Sequence, residues 1–291
     1  MTIVPPTPLT TLSTVPAWHG PVEQGAIDVA GAAIRWWAIG EGGPPVVLLH
    51  GGGAHSGWWH PVVERLAATR RVIGMDLSGH GDSGRRPTYS ALTWADEILA
   101  VIDGVAGGHA IVVAHSMGGR PSSIAASRYP GKFSALVLVD TVVPTSPDEV
   151  FPRAGALREY PTVEAIVARF RIMPGQTEID PDLLRTLGRQ SATARGDAYV
   201  WKFDPNVFHA SDGEIVNAHL PGITSPLVVI QGSDSVVVDP STAAALQDAV
   251  GRTVPLLIVP GADHHVMLDR PRETADLLAW LITSGALGTV A

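Results

Sequence analysis

Ala110-Ile111-Val112-Val113-Ala114-His115-Ser116-Met117-Gly118-Gly119 joins an apolar run of strand type to a serine and a pair of glycines. A serine with small residues two positions before and two positions after it, here Ala114 and Gly118, fits a sharp strand-to-helix turn that lifts the hydroxyl clear of a sheet, a nucleophile elbow. The usual pattern is G-x-S-x-G. Ala114 departs from it by one methyl group, the least a side chain can add. A serine at a helix start also serves simply as a cap for backbone N–H groups, so the nucleophile reading depends on the rest of the chain supplying a base, an acid and donors for an oxyanion.

Working outward from Ser116, the flanking segments alternate between two patterns. Pro45-Val-Val-Leu-Leu49, Arg71 to Met75, Ala135 to Val139, Leu227 to Gln231 and Leu256 to Val259 are short continuous apolar runs, as expected of strands buried on both faces of a mostly parallel sheet. Between them, Trp59 to Ala67, Ser90 to Val105, Arg120 to Tyr129, Ser241 to Val250 and Arg272 to Leu281 carry apolar residues at helical spacing. Strands alternating with helices at this rhythm predict an α/β fold with a parallel sheet flanked by helices. Ahead of them, Ala26 to Ala30 and Ala32 to Ile39 read as an antiparallel hairpin. Residues 141–222 break the rhythm: they are rich in proline, hold helical patterns over Val163 to Ile172 and Asp182 to Arg195, and contain no run of buried-strand type. They are expected to form a helical cap insertion on a core of residues 25–140 and 223–291, behind an N-terminal arm of residues 1–24.

The 291 residues are 45% hydrophobic and 16% charged, ample for one large core. The net charge of −8, with no basic cluster, lacks the footprint of a nucleic-acid binder and points to small-molecule partners. The chain has no cysteine, which excludes disulfides, thiolate metal sites and a cysteine nucleophile. Residues 1–20 have neither the basic start nor the apolar core of a signal peptide, and no run reaches spanning length, so a cytoplasmic protein that does not engage membranes is expected.

In a doubly wound sheet, ligands gather at the carboxyl ends of the strands. His50-Gly-Gly-Gly53, Ser116, Asp140, Gly232-Ser-Asp-Ser235 and Asp263-His264-His265 each follow a strand. The chain resembles members of the α/β-hydrolase fold superfamily over about residues 25–285. The resemblance rests on His50-Gly51-Gly52, on Asp76-x-x-Gly79-His80-Gly81-x-Ser83, on His115-Ser116-Met117-Gly118-Gly119, and on Pro260-Gly261-Ala262-Asp263-His264 followed by Pro271.

The resemblance implies a serine hydrolase with Ser116 as nucleophile and His264 as base, His264 being favoured over His265 by its spacing from Pro260-Gly-Ala262 and from Pro271. Most relatives place the acid where this chain has Ser235, which cannot serve. Asp234 lies one residue early, and a subset of relatives place the acid after the preceding strand, where Asp140 stands. Asp140 is therefore favoured, with Asp234 the alternative acid. Backbone N–H groups of Met117 and Gly52 are expected to form the oxyanion hole, with Gly53 a possible substitute for Gly52. Gly53, His55, Trp58, His115, Trp201 and His265 are candidate substrate-binding residues.

The expected activity is cofactor-free cleavage of a carboxylic ester or lactone of a small apolar substrate. Carbon–carbon bond hydrolysis, amide hydrolysis and a non-catalytic ligand-binding receptor of the same fold are the alternatives. No metal site is expected at His50, His55 and His60, because a spacing of five puts no two on one helical face.

Overall fold

A computed structural model describes residues 3–4, 22–144, 157–173, 179–209, 212–239 and 241–287. Its elements follow in chain order. A short strand β1 (Ile3–Val4) precedes the hairpin β2 (Val22–Val29) and β3 (Ala32–Ile39), and then β4 (Val46–Leu49), helix α1 (His60–Ala67) and β5 (Val72–Met75). Next come α2 (Ala91–Gly104), β6 (Ala110–His115), α3 (Gly119–Arg128) and β7 (Phe133–Val139). After them lie α4 (Val163–Val167), α5 (Pro181–Gln190), β8 (Ala192–Arg195), β9 (Ala198–Trp201) and α6 (Gly213–His219). The chain ends with β10 (Leu227–Gly232), α7 (Thr242–Val250), β11 (Leu256–Val259), α8 (Val266–Asp269) and α9 (Pro271–Thr283).

Nine strands form one sheet in the order β1-β2-β3-β5-β4-β6-β7-β10-β11. The first three pair antiparallel, β3 also runs antiparallel to β5, and every pairing from β5 to β11 is parallel. Every residue of β4, β5, β6 and β10 is buried, which accounts for their unbroken apolar runs. Alternate side chains serve two cores. Ala110, Val112 and Ala114 of β6 pack with Trp94 and Ile98 of α2 and Ile124 of α3 on one face. Ile111 and Val113 pack with Val62 and Leu66 of α1 and Leu278 and Ile282 of α9 on the other. One glycine is required for this packing: Trp37 of β3 lies directly across Gly74 of β5, and a Cβ there would fall 2.2 Å from the indole ring.

Two expectations about organisation change. Residues 141–222 are not wholly helical. Helix α5 stops at Gln190, and β8 and β9 form an antiparallel hairpin turning on Gly196 and Asp197. Gly196 adopts φ +60°, which glycine allows at little cost, and a Gly-Asp pair between short runs is a hairpin signal. At the other end, β2 begins at Val22, inside the predicted arm, and Ile3 and Val4 pair with Ile27 and Ala26 of β2. Residues 5–21 of the arm lie outside the described residues. Among the described residues no helix is long and apolar enough to cross a membrane.

Candidate active site

Ser116 follows the last residue of β6 at φ +51°, in the left-handed region that a residue with a Cβ seldom occupies. Ala30, Ser116 and Asp140 are the non-glycine residues with positive φ among those described, so two of the three lie at strand ends in this site, where local strain tends to concentrate. The turn is held by close packing. A Cβ on Gly118 would sit 2.5 Å from the carbonyl oxygen of His50, so glycine is obligatory there. The Thr141 hydroxyl donates to the backbone carbonyl of Ser116 at 3.2 Å, tying the turn to the residue after Asp140.

The loop between β11 and α8 carries His264 to the hydroxyl: Ser116 Oγ lies 2.9 Å from His264 Nε2. On the far side of the ring, His264 Nδ1–H donates to Asp140 Oδ1 at 2.8 Å. With Nδ1 carrying the proton, Nε2 presents its lone pair to the serine. Asp140 is fully buried. Its charge is compensated by three donors: His264 Nδ1–H, the Ser235 hydroxyl at 2.6 Å on the same oxygen, and the Gly232 N–H at 2.9 Å on Oδ2. Asp234 is exposed and accepts from the hydroxyl of Ser233 at 2.7 Å, away from the histidine. Asp263 holds the histidine loop from beneath, its Oδ1 accepting the His264 N–H at 2.7 Å and the Val236 N–H at 3.2 Å.

The loop after β4 lies against this elbow. A Cβ on Gly51 would meet Ser116 Cβ at 3.1 Å, and one on Gly52 would meet Phe208 at 3.0 Å and Met117 Sδ at 3.4 Å. Gly52 thus stands beside Met117, at the start of a helix whose first N–H groups have no intrahelical acceptor. His50 anchors the loop. Its Nδ1–H donates to the Gly51 carbonyl at 2.8 Å, and its Nε2 accepts the Leu77 N–H at 3.1 Å.

The predicted wall residues separate into three groups. Gly53 lies beside Phe208 and Phe203, close to Gly52. His265, Trp58, Phe170 and Trp201 form a chain of ring contacts leading from His264 toward residues 157–209, with centroid separations of 4.9 to 6.1 Å. His115 is buried behind His264, where its Nε2–H donates to the His264 carbonyl at 2.9 Å. Burial, with the neighbouring imidazoles, holds His115 well below the ordinary histidine range, and the same causes push His265 down to about 3. Both rings are neutral at neutral pH. His55 belongs elsewhere: its Nδ1 accepts the Gly57 N–H, its Nε2–H donates to Ser191 Oγ at 3.1 Å, and it lines a separate cleft.

Sequence reasoning missed the roles of Ser235 and Thr141. Ser235 had a signal, since it occupies the position where most relatives carry the acid; the Thr141 contact depends on tertiary approach alone.

The sequence profile of the alpha/beta hydrolase family matches residues 46–277. The chain belongs to that family. The chain is 29% identical over 253 residues to the 2-(acetamidomethylene)succinate hydrolase of Mesorhizobium japonicum, covering 80% of this chain and 85% of that protein. It is 28% identical over 266 residues to the pimeloyl-[acyl-carrier protein] methyl ester esterase of Yersinia pseudotuberculosis, covering 84% and 95%. Among solved structures, the thioesterase domain from the curacin biosynthetic pathway superposes with a TM-score of 0.75 at 22% identity, covering 90% of this chain and 99% of that one. The structure of E-2-(acetamidomethylene)succinate hydrolase superposes with a TM-score of 0.74 at 22% identity, covering 91% and 100%. These two establish a shared fold. This member of the family retains a serine, a histidine and an aspartate joined by hydrogen bonds at the carboxyl edge of its sheet.

Proposed function

We propose that this hydrolase cleaves a carboxylic ester or lactone of a small, largely apolar substrate through an acyl-enzyme. The observation that carries the reading is the continuous hydrogen-bonded chain from Ser116 Oγ through both nitrogens of His264 to buried Asp140. A serine hydroxyl is a weak nucleophile until an adjacent base takes its proton. As Ser116 Oγ bonds to the substrate carbonyl carbon, its proton passes to His264 Nε2. The electron pair of the carbonyl moves to oxygen, where the N–H groups of Met117 and Gly52 receive the anion. Asp140 keeps the ring in the productive tautomer and stabilises the imidazolium. When the tetrahedral adduct collapses, the bond to the leaving oxygen breaks and His264 returns the proton to it. Water then attacks the acyl-serine by the same route and releases the acid. No step calls for a metal or an organic cofactor.

Residues 157–209, with the ring chain from Trp58 to Trp201, are read as the part that shapes the acyl pocket and limits water. The esterase at 28% identity supports the ester reading. Amide hydrolysis is a second reading with its own support, the resemblance to 2-(acetamidomethylene)succinate hydrolase at 29% identity; the same Ser116 would attack, and His264 would protonate a departing nitrogen. The test is turnover of chromogenic esters, lactones and aryl amides by wild type and Ser116→Ala at neutral pH. Ester or lactone cleavage lost in the variant supports the reading. Cleavage of amides alone moves the assignment to the second reading, and undiminished cleavage in the variant refutes both.

A further inference from the structure

Behind the loop that carries Gly52 and Gly53, the carboxyl edge of the sheet opens into a second, solvent-open cleft. Arg35 of β3, His60 at the start of α1, the loop residues Asp76 and Asp82, Gln190 at the end of α5 and Lys202 after β9 contribute to its walls. Neither Ser116 nor His264, Gly52 or Met117 lines it. His55, Ser56 and Gly57 do, so the loop that faces Ser116 on one side forms a wall of this cleft on the other.

The cleft contains buried polar groups without partners, and unmet hydrogen-bonding capacity in a buried setting is costly. Gln190 is 7% exposed, yet neither its Oε1 nor its Nε2 has a hydrogen-bond partner. His60 is 8% exposed and its Nε2 is also unpartnered.

The charged groups of the lining are two carboxylates and two cations. Asp76 accepts the Ser56 N–H on one oxygen at 2.8 Å and the Asp82 N–H on the other at 2.9 Å. Asp82 is paired with Lys202 at 2.8 Å. Arg35 forms no ion pair among the described residues, and its charge offsets that of Asp76 in the same cleft, so what it leaves open is its donor fork and not a net charge. The capacity that remains is rich in donors: a guanidinium, an amide NH₂ and an imidazole N–H once His60 adopts that tautomer. The unpartnered Gln190 Oε1 is the matching acceptor. A ligand that complements this set brings acceptors, and a planar carboxylate fits a guanidinium fork best.

We propose that this cleft is a second binding site, separate from the Ser116 site, and that it takes a small organic acid as its carboxylate. The organic body of the acid lies against Trp37, toward the open mouth of the cleft. Because His55 to Gly57 are shared with the loop bearing Gly52, occupancy is linked to the position of that loop.

The experiment titrates Ser116→Ala protein with sodium benzoate and with benzamide, its uncharged counterpart, at constant ionic strength. The indole N–H resonance of Trp37, which donates to Ser56 Oγ in the cleft wall and is assigned through Trp37→Phe, is the readout. Benzoate is expected to shift it saturably, with benzamide about tenfold weaker or worse, since a charge-assisted pair carries about 1.5–3 kcal/mol. Arg35→Gln is expected to weaken benzoate about tenfold, and Gln190→Leu several-fold, with unchanged melting temperatures. Wild type first labelled on Ser116 by a fluorophosphonate is expected to bind benzoate as before. A shift that never saturates, equal binding of benzamide, or variants that bind like the parent would each overturn the proposal and leave a cleft filled with water. Loss of binding on labelling would overturn it by making the cleft part of the Ser116 pocket. A failure of Ser116 to label counts against the serine-hydrolase reading and leaves the titration of the alanine variant to decide the second site.

Discussion

Replacing Asp140 by asparagine should cost this hydrolase about 10³–10⁴ in kcat, and the contacts around the carboxylate show why. Its Oδ1 accepts from both His264 Nδ1–H and the Ser235 hydroxyl, and its Oδ2 accepts from the Gly232 N–H. An amide cannot satisfy this set in either orientation. With its oxygen toward the histidine, the NH₂ meets the Gly232 N–H, donor against donor, at a cost of about 1–3 kcal/mol for the buried mismatch. With the amide flipped, its NH₂ faces Nδ1, the ring takes the other tautomer, and Nε2 carries a proton where it must accept one. Both orientations also remove the negative charge that faces the imidazolium. A loss of 10³–10⁴ corresponds to about 4–5.5 kcal/mol of barrier. Asp234→Asn is the control: its side chain reaches the Ser233 hydroxyl and not His264, so kcat should stay within about twofold. The assay is steady-state hydrolysis of a chromogenic ester by both variants, with thermal melts to confirm folding. A folded Asp140→Asn protein retaining more than a tenth of the wild-type rate, or an equal loss in Asp234→Asn, would refute the assignment of the acid.

Three further outcomes follow from the same contacts. Acid should unfold the protein steeply: His50, His55, His60, His80, His115 and His265 are all held below the ordinary histidine range, first by burial, with His55 and His265 at about 3 and His60 at about 4. The unfolded chain therefore binds protons that the folded one refuses, so stability is full above about pH 6.5 and falls as pH drops toward the folded values, by about 1.4 kcal/mol per pH unit for each ring, or about 8 for six. Urea melts at pH 7, 6 and 5 should show this slope, and equal stability at pH 7 and 5 would contradict it. Arg86→Ala strands Glu97, which is fully buried and which burial pushes up from the usual carboxylate range. It should cost about 3–5 kcal/mol in urea unfolding, mostly recovered in Arg86→Ala/Glu97→Gln; a loss below about 1 kcal/mol would show that the pair contributes little. Ser235→Ala removes one of three donors to Asp140 and should lower kcat about 2–10-fold at constant KM, while Ser235→Thr, which keeps the hydroxyl, should retain the rate. An unchanged kcat in the alanine variant would show that two donors suffice.

The sheet was legible because its strands are buried on both faces and therefore read as unbroken apolar runs, while Ser116 and His264 sit in turns whose small residues leave a pattern in the chain. Asp140 was legible only as the better of two candidates, since nothing local distinguishes a strand-end aspartate that orients a histidine from one that caps a loop. The structure separates them by placing Asp140 beneath His264 and leaving Asp234 exposed. The hairpin of β8 and β9 was lost because its strands are four residues long and half-exposed, so they carry no apolar run to compete with the helical pattern before them. His55 illustrates a different limit. It lies two residues beyond Gly53, close enough in sequence to suggest a shared pocket, yet the turn into the helix carries its ring to the opposite side of the loop. The side on which a loop presents a side chain depends on packing that periodicity does not encode.

The most direct test of the central claim is reaction of the wild-type protein with a fluorophosphonate, followed by peptide mass mapping and ester hydrolysis, beside Ser116→Ala and His264→Gln. Stoichiometric phosphonylation of Ser116, with ester turnover abolished in step with labelling and absent from both variants, is the predicted result. A wild-type enzyme that hydrolyses esters without being labelled at Ser116, or a Ser116→Ala protein that keeps its turnover, would contradict the account.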